Sequence, residues 1–234
     1  MQIFSSGGVE FLLRWVHFLA GITWIGLLYY FNFVQGPFFA EADAATKSAA
    51  TQKLVPRALW WFRWGAMLTF LSGALILAKR GGEVGAQVWG TPWGVAILTG
   101  ALFGILMFLN VWLVIWPNQK VVIANAGATA GGGAANPAVA VAGRRAFLAS
   151  RTNVVFSVPM LFFMGAASHL SPLVTGSLGD YWAVVLVLAA LVELNALLGD
   201  KGPTKKPLET VRSVIVSGFV FWALIYGAVE LCLK

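Results

Sequence analysis

The 234-residue chain alternates between long apolar runs and short polar stretches. Six runs, at about 11–34, 58–78, 92–116, 152–173, 181–198 and 212–232, approach or reach the roughly 20 residues of helix that cross a hydrocarbon core about 30 Å thick. The fifth is the shortest and carries Glu193 and Asn195. Segments of about ten alternating residues, the mark of a membrane β-barrel, do not occur. Gln35-Gly36-Pro37, Gly81-Gly82 and Gly202-Pro203 punctuate the runs as helix breakers. The long 117–151 connection holds an Ala/Gly-rich tract, Ala124 to Ala135, which predicts a flexible surface loop over about 124–143. The pattern predicts an all-α, polytopic membrane helix bundle, a single transmembrane domain over 1–234 that takes the lipid bilayer as its partner.

Composition removes the soluble alternative. Hydrophobic residues make up 59% and charged residues 11% of the chain, against roughly 45–50% and 25% in soluble domains. The formal charge of +7 does not indicate nucleic acid, because the cations lie in membrane-flanking loops. Loops 35–57, 117–151 and 199–212 hold Lys47, Lys53, Arg57, Lys120, Arg144, Arg145, Arg151, Lys201, Lys205, Lys206 and Arg212; the other side holds Lys79, Arg80 and Lys234. This eleven-to-three split puts the basic loops in the cytoplasm and both termini outside, in the periplasm of a bacterium. Trp89, Trp93, Trp116, Tyr181 and Trp182 fall where an aromatic belt would. The first run lacks a basic leader and carries Arg14 and His17, as a retained helix rather than a cleaved signal would. One cysteine, Cys232, leaves no internal disulfide and no thiolate-ligated metal site, and no Cys-x-x-Cys-His motif attaches a c-type haem.

Ionisable groups inside a membrane are costly and are functional candidates by default. His17 lies about six residues (~9 Å) and His169 about four residues (~6 Å) below the same outer boundary, given the predicted spans and 1.5 Å of rise per residue. Gly21 and Gly165 stand one turn deeper on the same faces, leaving smooth patches beside the imidazoles. Two facing imidazoles over such patches suit the axial positions of haem b, and Arg14, three residues before His17, suits a propionate. The competing reading is structural: a hydrogen-bonded histidine and helix-packing glycines. Arg63, Asn110, Asn153 and Glu193 form a second polar group toward the cytoplasmic side. Here Arg63 either snorkels or pairs with Glu193, or it joins the asparagines in a pocket for an anionic or amide-rich molecule. Pro159 is expected to kink the fourth span.

Several motifs carry a family resemblance. The run from Leu13 to Gly26 resembles the His-x-x-x-Gly-x-x-Trp-x-Gly first helix of haem-associated bacterial membrane families. Trp61-Phe62-Arg63-Trp64-Gly65-Ala66, Trp116-Pro117-Asn118-Gln119-Lys120, Ser150-Arg151-Thr152-Asn153, Ser157-Val158-Pro159 and Ser168-His169 narrow it. Together, from about residue 10 onward, they resemble the membrane domain of bacterial membrane-bound urate hydroxylases, the urate oxidase N-terminal family. The resemblance implies purine oxidation coupled to cytochrome c through a C-terminal cytochrome domain. This chain is expected to lack that domain, since Lys234 follows directly on the last span.

Three functions remain open on the sequence. The first is a haem b-binding electron-transfer protein of the bacterial inner membrane, working with a periplasmic c-type cytochrome or a larger respiratory assembly. The second is a urate-oxidising enzyme with Arg63, Asn110, Asn153 and Glu193 around the substrate. The third is a cofactor-free subunit whose glycine and aromatic faces pack against other membrane proteins or other copies of itself.

Overall fold

The computed structural model describes residues 2–234, and among them every regular element is helical. Six helices are long and apolar enough to cross a membrane: α1 (Ser6–Glu41), α3 (Val55–Val84), α4 (Pro92–Ala130), α5 (Val139–His169), α6 (Leu178–Leu197) and α7 (Val211–Cys232). The short connector helix α2 (Ala44–Lys53) lies between the first two. In lipid the backbone must satisfy itself, so each helix start needs a local acceptor for its free N–H groups. Ser5, Thr91, Ser177 and Thr210 supply side-chain oxygens to the N–H groups of Gly8, Gly94, Asp180 and Ser213. With six crossings, both termini lie at one end of the bundle, called here the terminus end; the other is the hairpin end.

Two of the expected boundaries move. Gly36-Pro37 and Pro117 do not stop their helices. The backbone widens into a π-turn over Tyr30–Gln35 and again over Asn110–Ile115, each ending two residues before the proline. Proline lacks an N–H and crowds the carbonyl four residues back; the wider turn opens the spacing of carbonyls ahead of it and lets the helix run on. The predicted 124–143 loop is also largely helical. α4 continues to Ala130, because alanine is the strongest helix former, and α5 starts again at Val139. Between them the helix closes in a Schellman turn: Gly132 takes φ +80°, and Gly133 N–H donates to the Ala128 carbonyl at 2.9 Å.

α5 is the axis of the bundle. Of its most apolar stretch 67% is buried, against 22–33% for the other five spans. Its inward stripe is polar toward the hairpin end, and Ser150, Asn153 and Ser157 on it are each engaged. Ser150 Oγ accepts from Asn32 Nδ2 at 2.8 Å. Asn153 accepts from Asn110 Nδ2 at 2.9 Å and donates to the Met107 carbonyl at 3.0 Å. Ser157 Oγ shares a 2.9 Å bond with Tyr29 Oη. The helix runs through Pro159. On the other side of the bundle, α1 and α3 touch backbone to backbone at Gly65, where a Cβ would come within 3.2 Å of Trp24 N. Tyr181, expected at the membrane surface, is instead fully buried and bonded to Thr99 Oγ1 at 2.7 Å.

At the hairpin end Arg144 clasps the α6–α7 connection. Its nitrogens donate to the Asp200 carbonyl at 2.9 Å and to both oxygens of Glu209 at 3.1 and 2.5 Å. That hydrogen-bonded guanidinium holds the Glu209 carboxyl below its usual range. The clasp therefore adds stability above the ordinary glutamate pKa of about 4.3, and loses it as pH falls through the lower folded value.

Two outcomes follow from these contacts. Asn153→Leu removes one of the two acceptors of the Asn110 amide and the side-chain donor to the Met107 carbonyl, and should cost about 1–3 kcal/mol in denaturant unfolding of the detergent-solubilised protein. A loss within experimental error would show that the buried amides contribute nothing. Glu209→Gln should flatten the fall in unfolding midpoint below about pH 4.3 relative to wild type; parallel curves for the two proteins would remove the clasp from the acid response.

Candidate functional site

An apolar cleft of about 340 Å³ opens between α1, α3, α4 and α5 in the terminus half of the bundle. Its α4 wall runs from Trp93 to Ile105, about 18 Å at 1.5 Å per residue. α1 contributes Arg14, His17 and Trp24, α3 contributes Phe70 and Gly73, and α5 contributes Met160, Met164 and Ser168. The volume falls within the range of small-molecule and cofactor pockets, roughly 300–1,000 Å³.

His17 is the one imidazole on the wall. Its Nδ1 lies 3.2 Å from Ser72 Oγ, which itself donates to the Leu68 carbonyl at 2.6 Å. A serine proton already committed to a carbonyl leaves its oxygen to accept, so Nδ1 carries the proton and Nε2 is the free lone pair. A partner of this kind fixes the tautomer and orientation of a ligating histidine. Gly73 makes the position possible, since a Cβ there would come within 3.1 Å of His17 Cε1. Gly21, predicted as the smooth patch, instead faces Thr69, 4.0 Å from where its Cβ would sit.

His169 stands differently. Measured from the Tyr29–Ser157 bond, His17 and His169 are each twelve residues, about 18 Å, further toward the terminus end. The two are thus equally far along their helices from that bond. The faces do not match. Met160, Met164 and Ser168 form the cleft-lining stripe, while Gly165 and His169 belong to the neighbouring exposed stripe, about 100° round the helix. A Cβ on Gly165 would meet nothing within 4 Å. His169 is the last residue of α5, and the chain leaves helical geometry at Leu170, φ −149° and ψ 55°.

Arg14 lies on the wall as expected, already held by Glu10, with Nη2 at 2.6 Å and Nε at 3.1 Å from Oε1. Lys79 joins the network through Glu10 at 3.4 Å and Glu83 at 2.5 Å, and Ser6 Oγ donates to Glu83 at 2.8 Å. This chain of charges ties α1 to α3 across the outer rim of the cleft.

The second predicted group divides. Asn110, Asn153 and Glu193 converge, with Asn110 Nδ2 also donating to Glu193 Oε2 at 3.0 Å. Their amides are spent on one another, on Glu193 and on the Met107 carbonyl just before the π-turn. Arg63 is elsewhere and does not pair with Glu193. Its guanidinium lies 4.0 Å from the Trp116 ring centre and 6.0 Å from those of Trp64 and Trp112, and its Nε has no acceptor. Sequence reasoning did not single out Ser72, Gly73, Tyr29 or Asn32; each is an ordinary residue of an apolar run until the helix that faces it is known.

The fold and cleft define a six-helix integral membrane protein with a histidine-bearing apolar site open near one surface. The family model described as Urate oxidase N-terminal matches residues 85–225, more than half of the chain, and the chain belongs to that family. The matched stretch takes in α4 to α6 and α7 as far as Ile225, and leaves α1, with His17, outside it. No curated protein and no solved structure matches the chain.

Proposed function

We propose that this protein is a haem b-binding electron-transfer unit of the bacterial inner membrane, related to the urate hydroxylases through its family. The observation that carries the proposal is the apolar cleft with His17 on its wall, Nδ1 engaged by Ser72 and Nε2 free. When bound, haem would supply one-electron redox chemistry. His17 would hold the haem iron through its free Nε2, and His169, at the end of α5 and about 100° round from the cleft-lining stripe, would join it only if the end of α5 turned toward the cleft. The wall methionines suit this role less: Met164 is only seven residues, about 10 Å, from the Tyr29–Ser157 level, a turn and more below His17. Arg14, at the rim with Glu10, would meet an anionic edge of the group. The eleven-to-three charge split supports a periplasmic terminus end, so the cleft would face a periplasmic c-type cytochrome or a larger respiratory assembly.

A second reading, oxidation of urate by this chain, is favoured by Arg63. Its guanidinium stacks on Trp116 toward the hairpin end and is bonded to no carboxylate, which leaves its planar fork for an anion.

The purified protein should show a low-spin haem b spectrum, lost in His17→Ala and changed to a five-coordinate form in His169→Ala. An unaltered spectrum in both variants would falsify the axial assignment, and a colourless wild-type protein would leave the cofactor-free subunit. Urate added without oxygen should reduce the haem if the chain is the enzyme; an oxidised haem in its presence assigns the oxidation to another protein.

A further inference from the structure

The hairpin end holds a guanidinium that nothing in the chain neutralises. Arg151 on α5 is only 5% exposed. Its Nε and Nη1 are shielded from solvent without an acceptor, so Nη2 is the one nitrogen left with open surface. Arg144, two turns earlier on the same face, shares the Phe147 ring with it: the guanidinium carbons lie 5.3 and 5.0 Å from the ring centre. The nearby carboxylate, Glu209, feels both arginines but gives both of its oxygens to Arg144. Lys205, 2% exposed, donates to the Leu198 carbonyl at 3.0 Å, and burial together with the Arg144 charge pushes its ammonium down. Three buried or clasped cations therefore face two acidic residues, Asp200 and Glu209.

An ionised group shielded from water and left unpaired is strongly disfavoured, and an oxyanion accepting from the open Nη2 would offset that charge. Position narrows the choice. Ser150, next to Arg151, is bonded to Asn32 near the end of the apolar run of α1, so Arg151 sits where the apolar interior gives way to polar headgroups. Basic pockets between helices at that level suit phosphate headgroups. We propose that Arg151 anchors an oxyanion site between α5 and the α6–α7 connection, taking a phosphate-type group from a membrane lipid or from solution. The site is remote from the cleft and independent of the haem.

The test is the unfolding midpoint of the full chain. Inorganic phosphate is added to protein in zwitterionic detergent, and phosphatidylglycerol is introduced into phosphatidylcholine nanodiscs. A rise of several degrees is expected, since a ligand bound only by the folded state stabilises it. A rise with inorganic phosphate identifies a free oxyanion; a rise confined to phosphatidylglycerol identifies a headgroup. Either rise should vanish in Arg151→Gln and persist in Arg212→Gln, which alters an exposed cation at the same end. If Arg151→Gln does not fold, Arg151→Lys should give a smaller rise, because charge is kept but the shorter side chain no longer places a donor where Nη2 stands. No rise in the wild type with either addition, or a full rise in the Arg151 variant, overturns the site.

Discussion

Inside a bilayer no water stands ready to satisfy a polar atom, and the central helix of this bundle is built around that constraint. Ser150, Asn153 and Ser157 on α5 place polar groups where lipid or packed side chains would otherwise surround them. Each finds its partner on another element: Asn32 and Tyr29 on α1, Asn110 and the Met107 carbonyl on α4. These bonds fix both the rotation and the level of α5. The same stripe then continues past Pro159 as Met160, Met164 and Ser168, the wall of the cleft. Polar satisfaction at one end thus decides which residues line the apolar site at the other. Helix association in membranes draws little from the hydrophobic effect, so a small number of directional bonds together with close glycine contacts carry the specificity.

Much of this was legible in the chain. Six runs of the right length give six spans, because membrane thickness leaves little freedom. His17 stands on a cleft and Arg14 at its rim, and Asn110, Asn153 and Glu193 converge, because a polar group within a span has few places to go. What escaped depends on facing. His169 lies as far along its helix from the Tyr29–Ser157 bond as His17 does, but about 100° from the cleft-lining stripe, an angle set by contacts of α5 that no local pattern encodes. For Arg63 the sequence leaves open snorkelling, an ion pair with Glu193 or an anion pocket; the guanidinium stands against three tryptophan rings, as cation–π contacts allow without a carboxylate. The Ala/Gly tract read as a loop because low complexity hides helix propensity, and only the glycines near its middle break it.

The site itself joins residues of different legibility. Ser72 and Gly73 matter solely because α1 lies against α3, brought close where Gly65 meets the backbone of Trp24. A serine that receives an imidazole proton and a glycine that makes room for the ring are common residues, and their role appears only in the pair of helices. The ion network from Ser6 to Arg14 holds that pair at the aqueous rim.

The two π-turns carry a consequence for the length of the chain. Each accommodates one residue more than an α-helix would over the same rise, so α1 and α4 keep two phases, one on either side of the turn. If all six residues of Asn110–Ile115 closed into regular α-helix, they would turn about one residue's worth further than the π-turn does. Everything beyond it would then swing by about 100° about the axis. Trp116 and Lys120 would leave the side on which Arg63 stacks, while the cleft wall from Trp93 to Ile105 would stay where it is. The turn works as a phase joint between the membrane half of the helix and its extension at the hairpin end, and each half can be tuned by sequence without rotating the other.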